Sequence, residues 1–167
     1  CGITPGQTEA DFTPRKTGSY MRPADAILLT ADLAVIGSLT SCNVLDNSMD
    51  VAAAQLLVIA VKDRDVSLAG IKPDQTTADF RRQSLMPPDA VLLASDLSKA
   101  GVSGSLTSLS LRQNPLGDDG VEVLAQGIKA SQSLKSLDLS MPGMGNDIIR
   151  VRGAKAIADA LHVNGSM

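Results

Sequence analysis

The residues with the widest chemical reach are the paired carboxylates. Asp118-Asp119 and the run Asp63-Arg64-Asp65 could hold calcium or divide acid and base work between them. Asp118-Asp119-Gly120, however, stands in a turn just ahead of a helical pattern. Acids there cap free N–H groups and offset the helix dipole, so Asp118 is expected to cap the helix it introduces. Cys42 occupies a slot that leucine fills elsewhere and reads as a small buried hydrophobe, so a disulfide to Cys1 is not expected. His162 is the one histidine and closes the last helical pattern, where a ring suits the helix C-terminus better than catalysis. Met141-Pro-Gly-Met-Gly145 is glycine-rich but lacks the lysine and hydroxyl of a phosphate loop. Arg150, Arg152 and Lys155 form a basic patch too small to argue for nucleic acid. No catalytic, cofactor-binding or metal-ligating set emerges. The chain is expected to be no enzyme, to need no cofactor and to take no small-molecule substrate.

Composition points the same way. The 167 residues are 44% apolar, enough for one domain with a real core, yet only 2% aromatic, so that core must be aliphatic. Fifteen basic against 18 acidic residues leave a net charge of −3, without the basic excess that draws a protein to nucleic acid. No apolar run approaches the length of a membrane span. A soluble chain of the cytoplasm or an organelle, or a peripheral subunit of a larger assembly, is the setting expected.

The elements that must carry any site come from internal repeats. Gly2-Ile-Thr-Pro-Gly-Gln-Thr-Glu-Ala-Asp-Phe12 returns as Gly70-Ile-Lys-Pro-Asp-Gln-Thr-Thr-Ala-Asp-Phe80. Asp25-Ala-Ile-Leu-Leu-Thr-Ala-Asp-Leu33 returns as Asp89-Ala-Val-Leu-Leu-Ala-Ser-Asp-Leu97, and Gly37-Ser-Leu-Thr-Ser41 as Gly104-Ser-Leu-Thr-Ser108. Two copies of a long module therefore follow one another, and the distance between matched segments changes slightly where small insertions intervene. A shorter step lies inside the long one. Leu106, Leu109, Leu111, Asn114 and Leu116 are matched at a constant step by Leu134, Leu137, Leu139, Pro142 and Met144. Leu39, Cys42, Val44, Asn47 and Met49 fill the same slots earlier in the chain. Apolar residues at helical spacing follow each segment: Ala53, Leu57 and Val61; Val121, Leu124 and Ile128; Ala154, Ile157 and Leu161. Two further repeats are degenerate, at Ala10, Phe12 and Met21 and at Ala78, Phe80 and Leu85, with Pro23 and Pro87-Pro88 opening their helices.

The pattern L-x-x-L-x-L-x-x-N-x-L resembles the leucine-rich repeat. The length of the step from Leu106 to Leu134, with a helix in each repeat, resembles its ribonuclease-inhibitor-like subfamily. The Gly-Ile-x-Pro-x-Gln-Thr-x-Ala-Asp-Phe signature is similar to leucine-rich arrays of unicellular algae. The resemblance implies an α/β solenoid of about five repeats, with parallel strands on a concave face and helices on a convex one. Strands are expected near 9–12, 39–44, 77–80, 106–111 and 134–139. Val44, Phe80, Leu109, Leu111, Leu124, Leu137, Leu139 and Ile157 should be buried between repeats. The asparagine slot should bond adjacent turns at Asn47 and Asn114, and break at Ser19, Gln83 and Pro142. Residues 1–167 are read as one such domain with a loop insertion at 13–22. Gly165-Ser166-Met167 falls in register with Gly104-Ser105-Leu106, and Cys1 with Ala69, so the domain is expected to be part of a longer array.

A solenoid of this kind implies a binding module acting on another protein, its identity open. The variable strand positions form two columns: Asp11, Asn43, Asp79, Ser110 and Asp138, then Thr13, Leu45, Arg81, Arg112 and Ser140. Asn43, Asp79, Arg81, Ser110, Arg112 and Asp138 are the candidate partner-binding residues, because arginine forks and carboxylates make charge-assisted contacts. Two alternatives stand beside this reading: a structural subunit docked into a large assembly through its ends, and a GTPase-activating accessory of the ribonuclease-inhibitor-like kind.

Overall fold

The computed structural model describes residues 2–140 and 149–163. Cys1, the Met141–Gly145 loop with Pro142, and Gly165–Met167 lie outside these residues. The elements run β1 (Glu9–Asp11), α1 (Pro14–Thr17), α2 (Pro23–Val35), β2 (Ser41–Asn43), α3 (Val51–Ala60), β3 (Thr77–Asp79), α4 (Pro87–Leu97), α5 (Ala100–Ser103), β4 (Ser108–Ser110), α6 (Gly117–Ala130), β5 (Ser136–Asp138) and α7 (Val151–Val163). All pairing is parallel, with Ala10 opposite Cys42, and Ala78 opposite Leu109 opposite Leu137. The fold is thus α/β, with five short strands among the described residues, each followed by a helix. The helices pack in chain order, α2 on α3, α3 on α4, α4 on α6 and α6 on α7. An aliphatic core, from Ala10 and Leu29 to Leu134 and Ala160, runs through them. The segment 13–22 holds the short helix α1.

The strands form two sheets, β1–β2 and β3–β4–β5, rather than one ladder. The place beside β2 is taken by residues 67–68. The Cys42 amide donates to the Ser67 carbonyl at 2.7 Å and the Val44 amide to Leu68 at 3.1 Å, so β3 has no free edge on β2 to join. Each strand is also shorter than its apolar pattern. At the third residue of four of them an Asp or Asn side chain captures the amide two residues on: Asp11 that of Thr13, Asn43 that of Leu45, Asp79 that of Arg81 and Asp138 that of Ser140. Such turns compete with the ladder and end it.

The duplication is visible bond by bond. Gln7 Oε1 accepts the Thr4 amide and its Nε2 donates to the Glu9 carbonyl; Gln75 does the same to Lys72 and Thr77. The shared glutamine is the clasp that turns each copy into its strand. Pro23 and Pro87 open α2 and α4, where a missing N–H costs nothing, while Asp25 and Asp89 reach back to the amides of Arg22 and Met86. Gly127 lies where α6 crosses α4; a Cβ there would stand 2.6 Å from the Ala94 Cα.

Buried polar side chains lock neighbouring repeats. Asn114 is fully buried: its Nδ2 donates to the Phe80 and Leu111 carbonyls, and its Oδ1 accepts the Gln83 and Leu85 amides. Asn47 binds the Phe12 and Val44 carbonyls and the Met21 amide in the same way. The ladder positions expected at Asn47 and Asn114 are therefore occupied as read. At Gln83 the ladder does break, but Asp89 takes over the link to the preceding repeat, its Oδ1 accepting the Asp46 amide at 2.9 Å. Asp96, also fully buried, accepts the Ser67 hydroxyl at 2.6 Å and the Leu68 and Ala69 amides at 2.9 Å each, pinning the segment that flanks β2.

Three expectations need correction. Asp118 makes no cap on α6; its Oδ1 accepts the amides of Arg150 at 2.7 Å and Gly153 at 3.1 Å, so it caps α7 in the next repeat. Val44, Leu109, Leu111 and Leu124 are buried, but Leu137, Leu139 and Ile157 are only partly so, because they sit in the last repeat with a neighbour on one side. Phe80, like Phe12, also stays partly exposed, its ring larger than the Val44 and Leu111 side chains of the same slot.

Leu111→Ala should lower the unfolding free energy by about 2–5 kcal/mol, as a truncation that opens a cavity between covered repeats. Leu137→Ala, half-exposed, should lower it by clearly less; urea titrations of both variants test the difference. The second expectation concerns pH. Burial pushes Asp96 and Asp89 up from an ordinary 3.8 to about 6, against the pull of their hydrogen bonds. Between those values the folded chain holds more protons than the unfolded chain, so stability falls as pH rises from about 4 to about 6. Asp79 and Asp138 are shifted downward, and their contributions change below this window. In Asp96→Asn the slope of the urea midpoint across the window should flatten; an unchanged slope would remove Asp96 from the account.

Candidate functional site

The candidate residues sit at the C-terminal ends of the strands and one step beyond. Asp79 ends β3, Ser110 ends β4 and Asp138 ends β5, adjacent in register. Arg81 and Arg112 follow, both exposed. These five share one surface. The structure separates Asn43 from them: it ends β2 in the other sheet, is half-buried, and Gly70 packs so closely on it that a Cβ there would lie 3.0 Å from its Nδ2. Leu45, read as a variable surface position, is fully buried in the core and drops out of its column.

The carboxylates do structural work first. Asp79 accepts the Arg81 amide, then holds the Arg81 side chain: Nε lies 2.9 Å from both carboxylate oxygens and Nη2 2.7 Å from Oδ2. The Arg81 guanidinium, more than anything else, keeps the Asp79 carboxyl below its ordinary range. Asp138 is likewise held low, chiefly by the Ser140 hydroxyl at 2.6 Å and the Ser140 amide at 2.9 Å, with Arg112 adding a smaller attraction. The acidic column that looked like a recognition surface is therefore mostly a set of strand-ending turns.

Ser110 breaks the series. Its hydroxyl is buried without a hydrogen-bond partner among the described residues, close enough to Asp138 to favour that carboxylate. A serine at this slot offers no carboxylate to Arg112. Accordingly the Arg112 side chain has no hydrogen bond or ion pair in contact range among the described residues, whereas Arg81 is held by Asp79 through Nε and Nη2.

Sequence reasoning missed Arg82 and Gln113. Both are non-glycine residues in the left-handed region, φ 55° and 61°, as is Asp46 at 58° in the same slot of the second repeat. A left-handed turn recurs here because the next position must bring the ladder asparagine or its substitute inward. Arg82 Nε donates to Gln113 Oε1, and the Arg82 carbonyl accepts from Arg15 Nη2 at 3.2 Å. Asp79, Arg81, Arg82, Arg112 and Gln113 together line an open cleft of about 380 Å³. The recurrence of positive φ was invisible in the sequence, since neither residue is Gly or Asn.

The other residues with chemical reach are absorbed by structure. Burial, with Asp11 and Asp96 nearby, pushes the Cys42 thiol up to about 12. Arg64 reaches back to the Leu33, Ile36 and Leu39 carbonyls at the end of α2. Arg152, of the small basic patch, is paired with Asp119 and with Glu122 at 3.0 Å. His162 lies on the surface in the last turn of α7. No group of three or more potential metal ligands occurs among the described residues, and no described helix is long and apolar enough to cross a membrane.

Residues 102–125 match a Leucine Rich repeat family model. The match begins in α5 and runs through β4, the Asn114 ladder and the first half of α6, so a leucine-rich repeat occupies the part of the chain with the best-formed slots. Over 52 residues the chain is 44% identical to the human centrosomal protein of 78 kDa. That stretch is 31% of this chain and 7% of the relative, so the chain spans a small part of that protein's length.

If the Asp79–Arg81 fork persists in solution, the Asp79 carboxyl should titrate below 3.8. In Arg81→Gln it should move back toward that value, read from its side-chain carbon by NMR; no movement would mean that the fork is not formed.

Proposed function

We propose that the chain is a non-catalytic leucine-rich module that holds a partner protein through the strand-end surface of its third to fifth repeats. Leucine-rich repeat domains generally mediate protein–protein interaction, and the repeat match supports that class. The observation that carries the choice of face is the cleft itself. It gathers three arginines from two adjacent repeats in a chain whose net charge is −3. Arg81 and Arg112 are the contact residues, with Asp79, Ser110 and Asp138 setting their posture. In this reading the two sheets belong to one solenoid, joined by the 67–71 segment, with residues 13–22 an insertion and the domain covering the whole chain. The named relative being a centrosomal protein makes the centrosome a sensible place to look for the partner.

A second reading, docking through an end, is favoured by a comparison of the two copies. Ile27 and Leu28 on α2 are 53% and 63% exposed, while their counterparts on α4, Val91 and Leu92, are 7% and 0% exposed. On α4 that face is covered by α3 and by the loop that Asp96 caps. The α2 face thus has the composition of an inter-repeat interface, and a leucine-rich unit like residues 51–69 would fit it.

Partner binding by full-length chain separates the two. Arg81→Glu with Arg112→Glu should weaken binding at least about tenfold, and rising salt should weaken the parent complex, since exposed charge pairs are screened. Leu28→Lys should leave it unchanged. The reverse pattern, a salt-insensitive complex lost in Leu28→Lys, would transfer the function to the α2 end.

A further inference from the structure

We propose that the Arg81–Arg82–Arg112 cleft is an oxyanion site that takes a phosphorylated side chain of the partner protein. The inference rests on the strand-end surface being the binding face, and adds what that face recognises.

The argument begins with pairing. In the third repeat the slot pair is Asp79 and Arg81, and the carboxylate neutralises its own arginine through Nε and Nη2. In the fourth repeat the same slots hold Ser110 and Arg112. Replacing the acid by serine leaves the Arg112 guanidinium without a side-chain hydrogen bond or ion pair among the described residues, with only the weaker pull of Asp138 on it, at the same place in the next repeat. Arg82 adds a second one: among the described residues only its Nε is used, on Gln113, so both terminal nitrogens remain to donate. Arg82 and Gln113 are held there by left-handed backbone, φ 55° and 61°, a conformation that residues with a side chain rarely adopt. The cleft walls therefore carry three positive charges and one negative charge, a net of two positive in an acidic protein.

The chemistry of the ligand follows from the number and direction of donors. A carboxylate is planar and is satisfied by one arginine fork, as Asp79 is by Arg81. Donors from two adjacent repeats and three side chains suit an acceptor with oxygens pointing several ways. A phosphoryl group has three such oxygens and close to two negative charges at neutral pH, matching the surplus of the cleft. The cleft is open, so the group can arrive on a polypeptide rather than needing to be enclosed. Arg81, already tied to Asp79, is a preorganised donor through its remaining nitrogen, while Arg112 and Arg82 supply the new contacts.

The test uses the full chain at low ionic strength with inorganic phosphate, followed by arginine Nε–H resonances in a heteronuclear NMR titration. Saturable shifts confined to Arg81, Arg82 and Arg112 are expected at millimolar phosphate, with acetate at the same ionic strength giving markedly smaller ones. Arg112→Gln should weaken phosphate binding at least about tenfold. Ser110→Asp removes no arginine but supplies the missing acid beside Arg112, and should also weaken it. Lys129→Gln, on α6 away from the cleft, should not. Shifts spread evenly over all lysines and arginines, or phosphate affinity unaltered in both Arg112→Gln and Ser110→Asp, would overturn the proposal. The partner complex then reports on its source: dephosphorylating the partner should lower affinity for the parent chain and not for Arg112→Gln. Loss of partner binding in the double glutamate variant without any phosphate effect would keep the binding face and discard the oxyanion. Confined phosphate shifts with partner affinity unchanged in that variant would do the opposite to the binding-face reading, and would leave the cleft without a protein-borne ligand.

Discussion

Every corner of this fold must find partners for backbone groups that no strand or helix can satisfy. Strands of three residues leave most of each repeat outside the ladder, and an unpaired amide or carbonyl in an aliphatic core costs as much as a lost hydrogen bond. Local turns supply some of them, and between repeats the solution recurs: a side chain from the neighbouring repeat reaches across. Asn47 and Asn114 reach back one repeat to carbonyls and amides of the first and third. Asp89 reaches back to Asp46, Asp118 reaches forward to α7, and Asp96 holds 67–69. At the helix ends, Arg64 and Lys99 do the same for the carbonyls closing α2 and α3. Stacking is thus hydrophobic in its bulk and polar in its register.

This constraint also explains the doubled period. The ladder asparagine is present in the second and fourth repeats and absent from the third, where Gln83 turns its amide to Asp79 instead. Where the asparagine is missing, the buried carboxylate of Asp89 makes the link. Two kinds of repeat, each lacking what the other supplies, behave as one long unit. The return of Gly2–Phe12 as Gly70–Phe80 records that unit in the sequence.

Much of the architecture was readable from spacing alone. The five strand positions, the proline entries of α2 and α4 and the asparagine links all follow from leucine slots and local stereochemistry. What escaped was longer in range. Asp118 has the residue type that favours capping, yet α6 starts one residue before it, on Gly117 with Leu116 at the cap, and its carboxylate is claimed by α7. The capture of the β2 edge by residues 67–68 depends on Asp96, one helix further along the chain, and no local signal announces it. Within the candidate site, the arginines could be placed by register, but the difference between them could not. Whether an arginine here is held or left to reach outward depends on which strand-end residue is an acid, and that matters only once the turn geometry is known.

The same turns settle how charge is displayed on the surface. An acid that ends a strand accepts the amide two residues on, and its remaining capacity falls to whatever side chain occupies that later position. Threonine at 13 and serine at 140 use it up with a hydroxyl; arginine at 81 uses it up with a fork. Wherever the strand-end residue is an acid, its acceptors are therefore occupied within its own turn, and a following arginine is left to reach outward only where that acid is missing. Ser110 is that place, and the left-handed turn that serves the Asn114 ladder carries Arg82 and Gln113 to the same spot. In the binding-face reading proposed above, the recognition chemistry of the module comes from a local exception to the repeat, set on a frame of stacked repeats.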